Sequence, residues 1–357
     1  MDEASKKREI GRTLGRYFLR LLAVLGVTLV ILALFLLGVI FLLSRGASET
    51  AREKFVFTVK ETSAVGFLAD IFLRPEEVDA IINRPVVEIE TSSDTSLVEI
   101  ASAEEADGPV ADAWGYVDDD GDGMILEPVK GGGFTGYMLI VLDPSRVVLG
   151  CDPDSLYSRG HSVEWYVNDL DGVAGINAGG FEDKGGNGNG SQPDTMFVHE
   201  GVQYCTGMGV GRGFVGIDDE YKLHVGFRSS RDVEDWNIQE GCGFAYGPIL
   251  VINGEMAPEE NLRSGLNPRT AIGQRSDGAI LMLVIEGRQP SRLGASYLDL
   301  AEVMLRFGAV NAVNLDGGSS SMMYIHGEYI NDSASVIGIR PIPTSFVVLR
   351  EGRRGNG

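Results

Sequence analysis

The most extended pattern in the chain is an uninterrupted apolar run near its start. Residues 21–43 contain no charged side chain, and a run of this length can cross a bilayer as one helix. Six basic residues precede the run, whereas Arg45 alone follows it closely. The positive-inside rule therefore predicts a cytoplasmic basic tail over residues 1–20, one span over 21–43 and a plasma-membrane protein with an extracytoplasmic domain. A cleavable signal peptide is the alternative, because small residues follow at 46–48.

The pattern after the apolar run is first helical and then polar. Residues 50–73 carry apolar side chains at loose helical spacing, and Pro75 followed by two glutamates is typical of a helix start. From 86 to about 112 the chain is acidic and rich in serine and threonine, which indicates an irregular region. We therefore expect residues 44–134 to form a stalk and an acidic variable region, followed by a folded domain over 135–350.

The folded domain has short apolar runs bounded by glycine and acidic turns, which is the pattern of β-strands. One helix is also clear, because Ser296 can cap it, apolar side chains repeat on one face, and Gly308 ends it. These features and the 48 glycines indicate a loop-rich mixed fold. The predicted strands are 137–142, 173–176, 214–217, 223–227, 249–252, 280–285, 310–315 and 345–349.

Charge and cysteine usage narrow the choice of partners. The formal net charge is -21, and most of the acidic residues follow the apolar run. Such a domain repels the phosphates of nucleic acids at long range, so we expect no nucleic-acid partner. Cys151, Cys205 and Cys242 form no CxxC pair, and either one disulfide or three free thiols is compatible with their spacing. No HExxH, GxSxG or Walker A motif occurs, so we expect no cofactor for the chemistry.

The strand predicted over 310–315 ends at a lone acid, Asp316, followed by Gly317, Gly318 and a run of serines. Glycines allow the backbone to approach a ligand, and successive N–H groups in such a turn can bind an anion. The hydroxyls of Ser319 and Ser320 offer further donors. Asp316 could act as acid, base or nucleophile, or bind sugar hydroxyls. A plain glycine-rich turn capped by the aspartate is the alternative.

A similar arrangement follows the strand predicted over 173–176. Asn177 is followed by Gly179, Gly180 and Phe181. The amide could orient a ligand, and the aromatic ring could stack on a sugar. A simple turn is the alternative for this segment.

Further charged groups stand beside or at the ends of apolar strands. Arg269 and Thr270 follow a proline, and a guanidinium suits phosphate or carboxylate, although a surface ion pair is the more common role of a single arginine. Glu286 and Arg288 close another strand. Glu286 and Asp316 could face one cleft, and paired carboxylates are the usual means of glycoside cleavage. Which carboxylate is acid, base or nucleophile stays open.

The acidic segment contains one pattern typical of a metal site. Asp118, Asp120 and Asp122 alternate ahead of a glycine, as in the first half of a calcium loop. The acid expected at the twelfth position is absent, because Val129 stands there. A structural calcium ion is therefore one interpretation, and an acidic surface turn is the other.

Taken in order, five segments resemble the phosphodiester glycosidase family, including its anchored bacterial members that are sometimes labelled exopolysaccharide biosynthesis proteins. The resemblance covers roughly 135–350. It implies an α+β fold with a mixed, strongly curved β-sheet and packed helices. The five segments are 176–181, 246–254, 267–273, 284–288 and 314–320.

The same resemblance implies an enzyme that hydrolyses sugar-1-phosphodiesters on cell-surface or exported glycopolymers. Arg269 and the turn at Gly317, Gly318 and Ser319 would hold the phosphodiester. Asp316 or Glu286 would handle the proton or the anomeric carbon, and Asn177 would hold sugar hydroxyls. The sequence differs from the usual motifs of the family at Ser319, where a third glycine is frequent, and at Ala178. A non-catalytic cell-wall or polysaccharide-binding module on a membrane anchor is the alternative function.

Overall fold

The computed structural model describes residues 3–62, 65–89, 91–100, 110–183, 188–335 and 338–350. The helices are α1 (Glu3–Arg45), α2 (Glu49–Lys60), α3 (Pro75–Ile82), α4 (Val163–Asp169), α5 (Ser230–Asp235) and α6 (Tyr297–Arg306). The first ten strands are β1 (Val110–Ala111), β2 (Val117–Asp118), β3 (Met124–Lys130), β4 (Thr135–Val141), β5 (Val147–Cys151), β6 (Gly172–Asn177), β7 (Phe197–His199), β8 (Val202–Tyr204), β9 (Gly213–Asp218) and β10 (Leu223–His224). The others are β11 (Ile238–Phe244), β12 (Ile249–Ile252), β13 (Glu255–Met256), β14 (Arg269–Arg275), β15 (Ile280–Ile285), β16 (Ala309–Asn314), β17 (Met323–Ile325), β18 (Glu328–Tyr329) and β19 (Thr344–Leu349).

The first helix contains the predicted membrane span. Thr13–Arg45 reaches a mean hydropathy of 3.0, and 6% of its most apolar window is buried against the rest of the protein. By length and composition α1 is therefore a candidate membrane span or signal sequence.

Two helices and a short 3-10 helix pack together directly after α1. We call α2, the 3-10 helix Gly66–Ile71 and α3 the juxtamembrane unit. It has a small core of its own, formed by Val56, Val59, Ala69, Leu73, Val78 and Ile81. As predicted, Pro75 stands in the first turn of α3. The unit is therefore a folded helical element, in agreement with the helical pattern of this segment.

Three open β-sheets form the main domain, beside a small β1–β2 pair. The first has the order β13-β12-β16-β14-β15-β4-β3, the second β18-β17-β6-β19-β5, and the third β10-β9-β11-β7-β8. Every pairing between these strands in the described residues is antiparallel. Helices and sheets are thus combined as predicted, but the expected mixture of strand directions is not found. Strong curvature stays a prediction.

Alternation of side chains along the strands produces the layers of the domain. One face of the seven-stranded sheet meets the other two sheets in a shared core that includes Ile272, Val313, Ile176, Phe346 and Val215. Its other face packs against α6, and the outer face of the second sheet packs against α4. The first and second sheets therefore meet face to face, with α6 outside the first and α4 outside the second.

The predicted elements agree with the structure where apolar patterns were strong. The ranges 249–252 and 280–285 match β12 and β15, and α6 begins after the Ser296 cap. The sequence did not reveal β14, because its polar side chains are buried with its apolar ones. The seven-stranded sheet already includes β3, which begins ahead of the predicted domain start at 135. All three cysteines are free thiols.

Candidate active site

The lone acid of the sequence lies where the chain passes from the first sheet to the second. After β16 the backbone N–H of Asp316 donates to the carbonyl of Ala178, at 3.1 Å, and the chain then enters β17. Gly318 has a φ of 63°, and its N–H donates to the carbonyl of Pro268 at 2.8 Å. A β-carbon at Gly318 would lie 3.0 Å from the Arg288 guanidinium. Glycine therefore permits both the turn and the close approach of a cation.

A cavity of about 1020 Å³ lies between this turn and the juxtamembrane unit. A volume of this size suits a small-molecule ligand. On the domain side its lining includes Phe181, Asp194, Arg269, Arg288, Asp316, Gly317, Gly318, Ser319, Ser320 and Arg340. On the juxtamembrane side it includes Phe57, Lys60, Glu61, Ile81 and Ile82.

Two carboxylates in the cavity each have an oxygen without a partner. Asp316 Oδ1 accepts the N–H of Gly317 at 2.9 Å, whereas its buried Oδ2 accepts no hydrogen bond of normal geometry from a described residue. Asp194 Oδ2 accepts the N–H of Ala245 at 3.3 Å, and its buried Oδ1 is likewise without a partner among the described residues. Both groups are therefore available to a ligand or a proton.

Burial sets the protonation of these two acids. Desolvation raises the pKa of Asp316 to about 6, against the opposing effect of the nearby Ser320 hydroxyl. Desolvation, and after it the negative charge of Asp316, raise the pKa of Asp194 to about 7. Near neutral pH the pair can thus hold one proton on Asp194 while Asp316 is ionised. Glycoside cleavage uses one protonated carboxyl group as the acid and one ionised carboxylate as the base or nucleophile.

Sequence analysis did not predict Asp194, although one of its predicted neighbours explains its position. A β-carbon at Gly180 would lie 2.4 Å from Asp194 Oδ2, so only glycine leaves room for this carboxylate. The Asp194 N–H also donates to the Gly180 carbonyl at 3.0 Å. The available signal was an acid directly after Pro193, close to the glycine pair.

A second missed residue, Arg340, lies beside the Ser319 hydroxyl. Its Nη1 donates to Ser319 Oγ at 3.0 Å and to Asp183 Oδ2 at 2.9 Å. Its guanidinium also stands 5.1 Å from the centre of the Phe181 ring. Arg340 thereby connects the serine turn with the aromatic side of the cavity.

Arg288, which was predicted, supplies the second cation at the turn. Its Nη2 donates to Thr62 Oγ1 at 3.1 Å and to Asn267 Oδ1 at 3.2 Å. Desolvation and the positive charge of Arg269 lower its pKa. A cation in this position is stabilised by an added anion, so the wall formed by Arg288, Arg340 and the glycine turn favours a phosphate.

Arg269 lines the cavity, and its Nη2 and Nε already donate to other groups. Nη2 donates to Glu61 Oε2 at 2.7 Å and to the Gly265 carbonyl at 2.9 Å, and Nε donates to the Ala295 carbonyl at 3.2 Å. The ring centre of Tyr297 is 4.1 Å from the guanidinium. Arg269 thus connects the domain to the juxtamembrane unit through Glu61, and the expectation that it holds the phosphodiester stays a prediction.

Asn177 and Thr270 lie behind the cavity and are fully buried. The Asn177 amide donates to the backbone carbonyl of Asp316 at 2.7 Å, and its oxygen accepts the Thr270 hydroxyl at 2.7 Å and the N–H of Met322 at 3.1 Å. Gly179 is also buried, and its N–H donates to Thr344 Oγ1 at 2.9 Å. Instead of contacting a sugar, Asn177 holds the backbone of Asp316 in place.

The structure does not bring Glu286 into the lining of the cavity that the described residues form. Its carboxylate forms an ion pair with Arg292, accepts the Thr135 hydroxyl at 2.7 Å and accepts the N–H of Asp332 at 3.1 Å. A carboxylate with these partners has no unpaired oxygen for a substrate. The expected pairing of Glu286 with Asp316 is therefore replaced by the Asp194–Asp316 pair.

The three residues predicted to bind calcium do not lie in one group in the structure. Asp118 accepts the N–H groups of Gly121 and Gly123, both at 2.9 Å, which stabilises the loop without an ion. Asp120 and Asp122 instead lie with His326 in a group whose ligand atoms are within 4.8 Å of one another. These residues offer fewer oxygens than calcium prefers. Calcium binding stays a prediction, which a rise in melting temperature on adding calcium would test.

The second half of the chain is similar to known proteins. A family model described as phosphodiester glycosidase matches residues 171–349. The SPbeta prophage-derived uncharacterized protein YomE of Bacillus subtilis strain 168 is 32% identical over 171 residues, which cover 45% of this chain and 25% of that protein. The N-acetylglucosamine-1-phosphodiester alpha-N-acetylglucosaminidase of Bos taurus is 36% identical over 146 residues, 36% of this chain and 28% of that protein. The chain thus spans about a quarter of the length of these curated relatives.

A solved structure shares the fold. The catalytic domain of zebrafish N-acetylglucosamine-1-phosphodiester alpha-N-acetylglucosaminidase, described as auto-inhibited by its pro-peptide, superposes with a TM-score of 0.53 at 19% identity. The match covers 64% of this chain and 82% of that one, and at this identity it shows the fold alone. The family model covers half of the chain, including both cavity carboxylates. The chain therefore belongs to the phosphodiester glycosidase family.

Proposed function

We propose that the chain is a hydrolase that cleaves sugar-1-phosphodiesters in the cavity beside Asp316. The observation that carries the proposal is the pair of half-buried carboxylates, Asp194 and Asp316, each with a buried oxygen that has no partner among the described residues. Membership of the family supports the reaction class, and the name of the bovine relative describes cleavage of a GlcNAc-1-phosphodiester.

In this proposal the two acids divide the work at the bond between the sugar and the phosphate. Asp316, ionised above about pH 6, attacks the anomeric carbon or activates water toward it. The bond from that carbon to the phosphate oxygen breaks, and Asp194 gives its proton to the departing phosphate. Water supplies the new hydroxyl of the sugar, either directly, with its proton taken by Asp316, or by breaking the Asp316–sugar bond, with its proton taken by Asp194. The phosphate leaves as a monoester.

The other lining residues support recognition of the two halves of such a substrate. Arg288 and Arg340 stand beside the glycine turn, where they can pair with the phosphodiester anion. Aromatic side chains suit stacking on a sugar ring, and Tyr246 lines the same cavity with 81% of its surface exposed. Phe181 lies on the side of the cavity near Arg340.

The first helix supports a proposal for the location of the substrate. If α1 anchors the chain with its basic end in the cytoplasm, the domain faces the cell exterior, where exported glycopolymers carry phosphodiester-linked sugars. We therefore propose glycans of the cell surface as the natural substrate. We assign no cofactor to the reaction.

Sugar release is the direct test. The full chain in nanodiscs is incubated with a panel of sugar-1-phosphate methyl esters that includes the GlcNAc ester, and free sugar is measured. We expect release by the parent chain and none above background by Asp316→Asn. Binding of polymer together with no release from the whole panel would favour the alternative, a non-catalytic binding module.

A further inference from the structure

The juxtamembrane unit touches α1 at a level that lies inside the apolar run. The ring of Phe72 makes an edge contact with Phe41, with centroids 5.4 Å apart. Ile40 and Ser44 are buried, although most of the helix around them is exposed. Residue 40 precedes Arg45 by five positions, which is roughly 7 Å along a helix. The unit therefore reaches back along the last part of the apolar run.

A polar clamp fixes this contact at the end of α1. Arg45 donates through Nη1 and Nη2 to the two carboxylate oxygens of Glu77, at 2.7 and 2.9 Å. Its Nε also donates to the carbonyl of Phe72 at 2.8 Å. Three bonds from one guanidinium hold the 3-10 helix and α3 against α1. The unit consequently cannot stand far from a membrane that α1 crosses.

The 3-10 helix of this unit exposes apolar side chains beside that contact. Phe67 is 62% exposed and Ile71 is 40% exposed, and Phe72 follows them directly. The apolar run over 21–43 has a few residues more than the roughly 20 that a bilayer core requires. Its last residues and the patch beside them can therefore lie in the interfacial layer, where aromatic side chains are favoured.

We propose that Phe67 and Ile71 insert into the outer interface of the membrane that α1 crosses, and that the cell-surface glycans cleaved in the cavity include those whose phosphodiester joins the sugar to a lipid of that membrane. The insertion is supported by the contacts between the juxtamembrane unit and α1. The lipid-linked substrate rests on the proposed hydrolase function.

One short connection links the membrane patch to the cavity. Lys60 lines the cavity, and its Nζ lies 2.8 Å from Asp70, which precedes Ile71 in the 3-10 helix. Glu61 and Thr62 follow at once and contact Arg269 and Arg288. The cavity wall and the membrane patch are thus parts of one folded unit. The apolar Phe57, Ile81 and Ile82 of the same wall suit the hydrocarbon end of a lipid phosphodiester.

Insertion is tested by tryptophan fluorescence of the full chain in nanodiscs. Phe67→Trp and, separately, Ile71→Trp are compared in nanodiscs with and without lipids brominated near the headgroup. We expect each added tryptophan to lose emission in the brominated lipid. Val202→Trp, on the exposed edge of the third sheet, is the control that keeps its emission. Equal emission of both patch variants in the two lipids would overturn the docking.

The substrate class is tested with a matched pair of esters. GlcNAc-1-phosphate esterified with hexadecanol enters the nanodisc, and the methyl ester stays in water. We expect kcat/KM to be about tenfold higher for the lipid ester, because the membrane concentrates it near the cavity. A Phe67→Ser/Ile71→Ser double variant should lose most of this advantage and keep the rate on the methyl ester.

The outcomes separate the two proposals. Equal rates on the two esters would overturn the lipid substrate while leaving the hydrolase function in place. Failure of both esters, when quenching is still seen, would remove the hydrolase function and the lipid substrate with it, and would leave the membrane docking established.

Discussion

Two strands of the seven-stranded sheet end in an acid at the same edge, yet the two acids have opposite surroundings. β15 and β16 both pair with β14, and Glu286 and Asp316 follow their last residues closely. Glu286 has a guanidinium, a hydroxyl and a backbone N–H as partners. Asp316 keeps one oxygen without a hydrogen bond from the described residues and has a raised pKa.

The comparison shows that a strand end locates an acid but does not decide its chemistry. A nearby cation and several donors stabilise the charged form and occupy the oxygens, whereas burial without them raises the pKa. The ion pair with Arg292 gives Glu286 a structural role. Asp316 instead interacts with a second carboxylate, Asp194, and the two form a reactive pair. Variants of these acids and of the neighbouring arginines test this distinction, beginning with the largest expected effect.

Asp316→Asn should lower kcat on a sugar-1-phosphodiester by about a thousandfold or more, because the group that acts on the anomeric carbon is lost. Asparagine has nearly the same shape, so the circular dichroism spectrum and the melting temperature should stay close to those of the parent chain. Full activity in this variant would remove Asp316 from the mechanism.

Asp194 should give the pH profile its alkaline limb. Activity should rise with pH through about 6 as Asp316 ionises, and fall above about 7 as Asp194 loses its proton. Asp194→Asn should lower kcat about a hundredfold and remove the alkaline limb from the activity that is left. An unchanged limb in this variant would assign it to another group.

Asp194→Asn should lower activity, but it should raise the free energy of unfolding at alkaline pH. The folded state holds the Asp194 proton to about pH 7, whereas the unfolded chain releases it near pH 4, so the parent chain loses stability as pH rises between these values. Asparagine cannot ionise, so the variant should gain about 4 kcal/mol over the parent at pH 8 and almost nothing at pH 4. Denaturant unfolding at the two pH values measures this difference.

Arg288→Gln should weaken substrate binding more than it slows the chemistry. Loss of one charge-assisted contact to the phosphodiester should raise KM about tenfold with a smaller change in kcat. Arg269→Gln is the contrasting variant, because its guanidinium binds Glu61 and backbone carbonyls. Its main effect should be a lower melting temperature. The reverse pattern would return Arg269 to the phosphate site.

The sequence was informative about the parts of this site that depend on local structure. Asp316 and its glycines follow a strongly apolar strand, so the position of the turn could be predicted. The same reasoning identified Gly180 but did not explain why a glycine is needed there, because the carboxylate that it accommodates comes from a separate loop.

Contacts between distant segments could not be predicted. Glu61 reaches Arg269 across 208 positions of the chain and occupies the donors expected for a phosphate. Arg340 meets Ser319 only because the loop before β19 folds over the turn. Propensity and spacing describe neighbours along the chain, whereas the partners of a buried charge depend on the packing of the two sheets.

Glu286→Gln should have the smallest effect on catalysis and is the sharpest test of the comparison. The variant removes the negative charge beside Arg292 and weakens the bonds to Thr135 and Asp332, so the melting temperature should fall. The cavity lining keeps Asp194 and Asp316, so kcat and the pH profile should stay within about threefold of the parent values. Arg292→Gln should have the same pattern, because it breaks the same ion pair from the other side. A thousandfold loss in Glu286→Gln, with folding unchanged, would mean that the two strand ends share the chemistry. The contrast between a neutralised acid and a reactive one would then fail.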